Sequence, residues 1–237
     1  MTSTVPVTTL LFDMDGCLYS CPSFLTHIHE NIFKFMVSQT GSKFDPITTI
    51  DEAKAVWAPI FAKYNLTKRG LQGEGYVFDE TSYDDFIRQG LENFIQPNPD
   101  LRALIMSLPQ ARKAVLTNCP ERHAVTTLEL LGIRDCFDDV FGTDFMGPMC
   151  KPARGVFEKT LEALGNPRPG EVAFFEDSFV NLQAGKELGF RTVFVKSEAS
   201  EGGENRSDAD VAHFDCACNT VVNETDLRAG AEWLWAT

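Results

Sequence analysis

An apolar run, Leu10-Leu11-Phe12, ends in two aspartates, Asp13 and Asp15, with one residue between them and Gly16 directly after. Like charges at the end of a segment that reads as buried repel each other and lose their hydration, unless something positive shares the place. Residues i and i+2 of an extended chain point to one side, so both carboxylates can face a single bound group. Three further sets of groups could join them: Thr117 with Asn118, Lys151, and the pair Glu176 and Asp177. Three or four carboxylates in one place demand a cation. Oxygen donors without His or Cys select a hard ion. Mg²⁺ is the expected one, because it takes one or two carboxylates and fills its octahedron with water and phosphate oxygens.

These groups are far apart in sequence, so the fold has to gather them. Residues 8–13 read as a buried strand. Further strands are expected over 112–118, 138–143, 171–177 and 191–196, with helices over 121–132, 153–165 and 178–189 between them. Strand and helix alternating through short links define an α/β chain, a Rossmann-like parallel sheet flanked by helices. Residues 22–98 have a different texture. Helical periods run over 24–39, over 51–65, where Pro59 invites a break or kink, and more weakly over 82–94. The expected organisation is an α/β core of residues 1–21 and 99–237, with residues 22–98 inserted after the first strand as a small helical cap. A polar, acidic loop is expected at 198–210, and a last helix over 224–236 that partly buries Trp233 and Trp235. Ligands of open parallel sheets bind beyond the carboxyl ends of the strands. Asp13, Thr117–Asn118 and Glu176–Asp177 each fall at such an end, and Lys151 lies in a loop that can reach the same rim.

The chain has 237 residues, 43% of them hydrophobic, and a formal net charge of −13. That balance argues against nucleic acid and against an anionic membrane surface as partners. An anionic substrate would need local positive charge from a metal or a few placed cations. No run of about 18 apolar residues is present, so no membrane span is expected, and the first residues lack the basic flank of a signal peptide. Seven scattered cysteines without metal-site neighbours are expected as free thiols of a cytoplasmic protein. Monomer and homodimer both remain open.

The segments "FDMDGCLY", "LTN", "KP" and "FFEDSFVN", in that order, resemble the four motifs of the haloacid dehalogenase superfamily. Residues 69–109 and 116–133 further resemble its pyrimidine 5′-nucleotidase-like branch. The resemblance implies a Mg²⁺-dependent phosphohydrolase. Asp13 is then the nucleophile that forms an acyl phosphate. Asp15 is the general acid and base, with its backbone carbonyl on the metal. Thr117 and Asn118 hold the phosphate, Lys151 neutralises the nucleophile and a phosphate oxygen, and Asp177 binds the metal directly. Many relatives carry two aspartates at the last motif, so Glu176 is a departure, a metal ligand either direct or through water. Asn181 is expected to steady Lys151 or Asp177. The implied substrate is a small phosphorylated metabolite, a pyrimidine nucleoside 5′-monophosphate first. Another small ester such as a sugar phosphate, phosphomutase chemistry, and a non-catalytic phosphate-binding role stay open as alternatives. A dehalogenase proper would have no use for the acid at position 15.

Overall fold

Parallel strands lie between two layers of helices, so their side chains are buried on both faces and read as continuous apolar runs. The computed structural model describes residues 5–197, 208–219, 221 and 224–235. Its strands are β1 (Thr9–Phe12), β2 (Arg112–Leu116), β3 (Asp139–Phe141), β4 (Val172–Glu176), β5 (Arg191–Val195) and β6 (Cys216–Cys218). They pair in parallel throughout, in the order β3-β2-β1-β4-β5-β6. The chain moves outward from β1 in one direction and from β4 in the other. The crevice between β1 and β4 is therefore the point where the winding reverses, the usual ligand position in such sheets.

Residues cluster into two units, one of Met1–Cys21 with Ile95–Thr237 and one of Pro22–Phe94. The second is helical: α1 (Pro22–Ser38), α2 (Ile50–Tyr64), α3 (Thr67–Gly73) and α4 (Glu80–Ile87). Its core joins Ile32, Phe35, Met36, Phe44 and Tyr83. Thr49 and Glu52 form a reciprocal capping box that fixes the start of α2. Pro59 does not break this helix. It removes one donor, but Ala55, whose carbonyl loses its partner, is exposed, so water can take the vacated bond. The expected helix over 82–94 begins earlier, because the Asp79 side chain accepts from the Ser82 amide (2.7 Å). It also stops at Ile87, and Gly90 with φ 78° turns the chain into a 3₁₀ turn at Leu91–Asn93.

The sheet unit adds α5 (Pro99–Ser107), α6 (Glu121–Leu131), α7 (Thr143–Met146), α8 (Arg154–Ala163), α9 (Phe179–Leu188), α10 (Asp208–Val211) and α11 (Glu224–Gly230). Its core runs through the sheet, from Leu11 and Leu116 to Phe157, Phe174, Phe190 and Phe194. The closing helix is shorter than expected. It ends at Gly230, whose close approach to Cys216 leaves no room for a side chain, and a 3₁₀ turn at Glu232–Leu234 follows. Trp233 and Trp235 are half-buried. No disulfide joins any of the seven cysteines. No helix among the described residues is long and apolar enough to cross a membrane. The expected acidic loop falls, up to residue 207, outside the described residues.

Candidate active site

The parallel register sets the rim. Phe12 stands level with Val115 on one side and Phe175 on the other, so Asp13, one residue on, emerges beside Glu176, the last residue of β4. The Asp13 amide still donates to the Phe175 carbonyl (2.9 Å), and the Thr117 amide to that of Phe141 (2.9 Å). Both side chains thus leave a backbone that the sheet ladder holds.

Lys151 reaches this rim from the loop before α8. It is almost wholly buried. Its Nζ donates to Asp13 Oδ1 (2.6 Å) and to Glu176 Oε2 (2.7 Å). The other oxygen of Glu176 accepts from the Ser178 amide (3.0 Å). Asn118 grips the lysine's own peptide: the Lys151 amide donates to Asn118 Oδ1 (2.9 Å), and Asn118 Nδ2 donates to the Lys151 carbonyl (3.2 Å). Asn181 does not provide that tether. Its Oδ1 is buried without a hydrogen-bond partner among the described residues. Thr117 is buried, and its Oγ1 accepts from the Cys119 amide (3.2 Å), which leaves the hydroxyl proton available for donation.

Asp13, Glu176 and Asp177 are buried, and each offers an oxygen within 4.8 Å of the others. Three carboxylates face one ammonium, so the ionised set carries a surplus of two negative charges away from water. Burial first, and then the charge of Glu176, push Asp13 up to about 8 from an ordinary 3.8, against the opposing pull of Lys151. Burial, then Glu176 and Asp13, raise Asp177 as well. Burial works against the Lys151 charge, but the two carboxylates more than offset it and hold the lysine above its usual range. Cys17 is also buried, and burial together with the nearby Asp13, Glu176 and Asp177 raises its thiol. A divalent cation would cancel the surplus, and the oxygen-only donor set fits a hard ion. Asp177 has a further support. Its carboxylate lies so close over Gly16 that any Cβ there would collide with it.

The rim therefore brings together Asp13, Glu176, Asp177, Lys151 and Asn118. The Asp15 side chain stands outside the carboxylate cluster and accepts a hydrogen bond from the Tyr19 hydroxyl. Sequence reasoning missed the Asn118 clamp, the Ser178 amide on Glu176 and the contact of Gly16 with Asp177. The signal for the first was present in the amide following Thr117 at a strand end.

The switch point of this doubly wound parallel sheet thus holds a strand-end aspartate, a buried lysine and an acidic pair. The haloacid dehalogenase-like hydrolase model matches residues 7–189, and the chain belongs to that family. It is 25% identical over 196 residues to phosphate metabolism protein 8 of Saccharomyces cerevisiae, covering 77% of this chain and 59% of that protein. It is 23% identical over 192 residues to a phosphoglycolate phosphatase of Rhodobacter capsulatus, covering 78% and 82%. Among solved structures it superimposes on a phosphatase of the family from Thermococcus onnurineus with TM-score 0.63, at 19% identity over 94% of this chain and 97% of that one. L-2-haloacid dehalogenase from Xanthobacter autotrophicus gives TM-score 0.58 at 18% identity, over 95% and 99%. At such identities the superpositions speak to the fold.

Proposed function

We propose that the protein is a Mg²⁺-dependent phosphomonoesterase working through an acyl phosphate on Asp13. The observation that carries this reading is the buried surplus of negative charge among Asp13, Glu176, Asp177 and Lys151. A carboxyl held near 8 is a poor nucleophile at neutral pH until a cation offsets its neighbours. Asp13, Asp177 and Glu176, with the Asp15 carbonyl, would hold the ion, which supplies Lewis-acid charge to the phosphoryl oxygens.

An Asp13 oxygen attacks phosphorus while the bond from phosphorus to the alcohol oxygen breaks, and that oxygen takes the proton of Asp15. Asp15, now a carboxylate, takes a proton from the water that attacks the acyl phosphate. Inorganic phosphate leaves, Asp13 is a carboxylate again and Asp15 carries its proton. Lys151 fixes Asp13 and offsets charge on the phosphoryl oxygens. The Thr117 hydroxyl and the Asn118 backbone N–H hold the phosphate.

The substrate on this reading is a nucleoside 5′-monophosphate, pyrimidine preferred. The resemblance of residues 69–109 and 116–133 to the nucleotidase-like branch supports it. A second reading, another small phosphate ester, is favoured by the Rhodobacter relative, a phosphoglycolate phosphatase matched over 82% of its length. A panel of nucleotides, sugar phosphates and phosphoglycolate, assayed for phosphate release with and without Mg²⁺, tests both. Release is expected only with the ion, fastest from pyrimidine monophosphates. Preference for phosphoglycolate would select the second reading. Asp13→Asn should remove turnover by about a thousand-fold or more while the circular dichroism spectrum stays unchanged; near-normal turnover in that variant would sink the mechanism.

A further inference from the structure

The loop after Asp13 folds back on itself. The Gly16 amide donates to the Tyr19 carbonyl (3.0 Å), and the amides of Cys17 and Leu18 both donate to the Met14 carbonyl (3.2 and 3.0 Å). Asp15 and Tyr19 pair as an isolated bridge across this turn. Met14 and Leu18 are buried and anchor it. The turn carries the Tyr19 hydroxyl onto Asp15, where it donates to Oδ1. Both residues are half-buried, so the contact is made in a partly dry place where it fixes a side chain more firmly than on an open surface. The last torsion of a carboxyl group is broad and roughly two-fold, so a hydrogen bond to one of its oxygens narrows the orientations it takes, and an aspartate beside a cationic site is drawn towards it.

From this we infer that Tyr19 is a positioning residue for proton transfer by Asp15. Its phenol pins the carboxyl group outside the Asp13–Glu176–Asp177 cluster, oriented towards the departing alcohol oxygen. The inference rests on the phosphomonoesterase reading above. It concerns only the proton that the alcohol takes as its bond to phosphorus breaks.

Leaving-group dependence tests it. The departure of p-nitrophenolate needs little protonation, whereas an alkyl alcohol needs a full proton. The quantity to compare is kcat/KM, which covers only the steps up to release of the alcohol and is blind to the later attack of water. In Tyr19→Phe, the ratio of kcat/KM for an alkyl ester such as glycerol phosphate to that for p-nitrophenyl phosphate should fall by about ten-fold, with the Mg²⁺ requirement unchanged. Equal loss on both esters, or none on either, overturns the inference and leaves the phosphatase reading standing. A wild-type protein that releases phosphate in Mg²⁺ neither from these esters nor from the nucleotides, sugar phosphates and phosphoglycolate of the panel overturns both. Asp15→Asn supplies an independent check. Adding Tyr19→Phe to it should change the ratio no further, since the phenol acts through Asp15. A further fall as large as in the single variant would overturn the proposal even if Tyr19→Phe proved less stable.

Discussion

Gly16 illustrates how a residue without a side chain can place one elsewhere. Its φ of 84° suits glycine for the turn, but the carboxylate of Asp177 also rests where a Cβ would stand. Gly16→Ala should therefore strain the loop and displace Asp177 together. The expected result is a rise of about ten-fold or more in the Mg²⁺ concentration needed for half-maximal phosphate release, checked by metal titration and by calorimetry. The same scale separates what was readable from what was not. The carboxylates at positions 13, 15, 176 and 177 were readable as candidates from their places at strand ends, whereas Thr117, Asn118 and Lys151 took on roles only through the order of the four motifs. Their pairings depend on distances that only packing sets. Glu176 is the instructive case. Both of its oxygens accept hydrogen bonds, from Lys151 Nζ and from the Ser178 amide, an arrangement invisible in the order of residues.

Among elements, the reciprocal bonds of Asn118 and Lys151 tie the end of β2 to the loop before α8. Lys151 owes its aim to that tie as well as to its carboxylates. Asn118→Ala should lower kcat by about ten- to a hundred-fold through misplacement of the lysine. Asn118→Asp keeps the acceptor for the Lys151 amide but sets its second oxygen against the Lys151 carbonyl, so it should not recover the loss. Steady-state kinetics of the two variants check it, and near-normal kcat in Asn118→Ala would contradict the tie. Most strands and the helices α6, α8 and α9 were legible within a residue or two, since buried apolar runs closed by turn residues leave little choice. Gly132 stops α6 in the left-handed conformation, as its position implies. Helix α5 passed unread although its signals were plain: Asn98 caps the Leu101 amide (3.0 Å) and Pro99 opens the first turn. Strand β6, with sequence Cys-Ala-Cys, has no β-branched residue to mark it. The histidines show the same limit, since His27 meets the Gln89 carbonyl (2.8 Å) and His213 meets Gln183 (2.9 Å) only across the fold.

For the molecule as a whole, the buried carboxylates are expected to couple folding to pH and to metal. Asp13 binds its proton more tightly folded, at about 8, than its ordinary 3.8, and Asp177 is raised in the same direction. Stability from such groups is complete below about 3.8 and is lost as pH rises through about 8. Lys151, also raised, loses its contribution only in more alkaline solution. In chelator, the melting temperature should therefore fall between about pH 5.5 and 8.5, and added Mg²⁺ should restore more of it at the upper end. Thermal scans at several pH values, with and without the ion, check this; a metal-induced rise that shrinks with pH would contradict it. The sheet itself has a last consequence. Among the described residues its outermost strands, β3 and β6, are three residues each, and edges that short disfavour pairing with another chain's backbone. Lengthening the sheet into a fibre is thereby made costly at both of these edges.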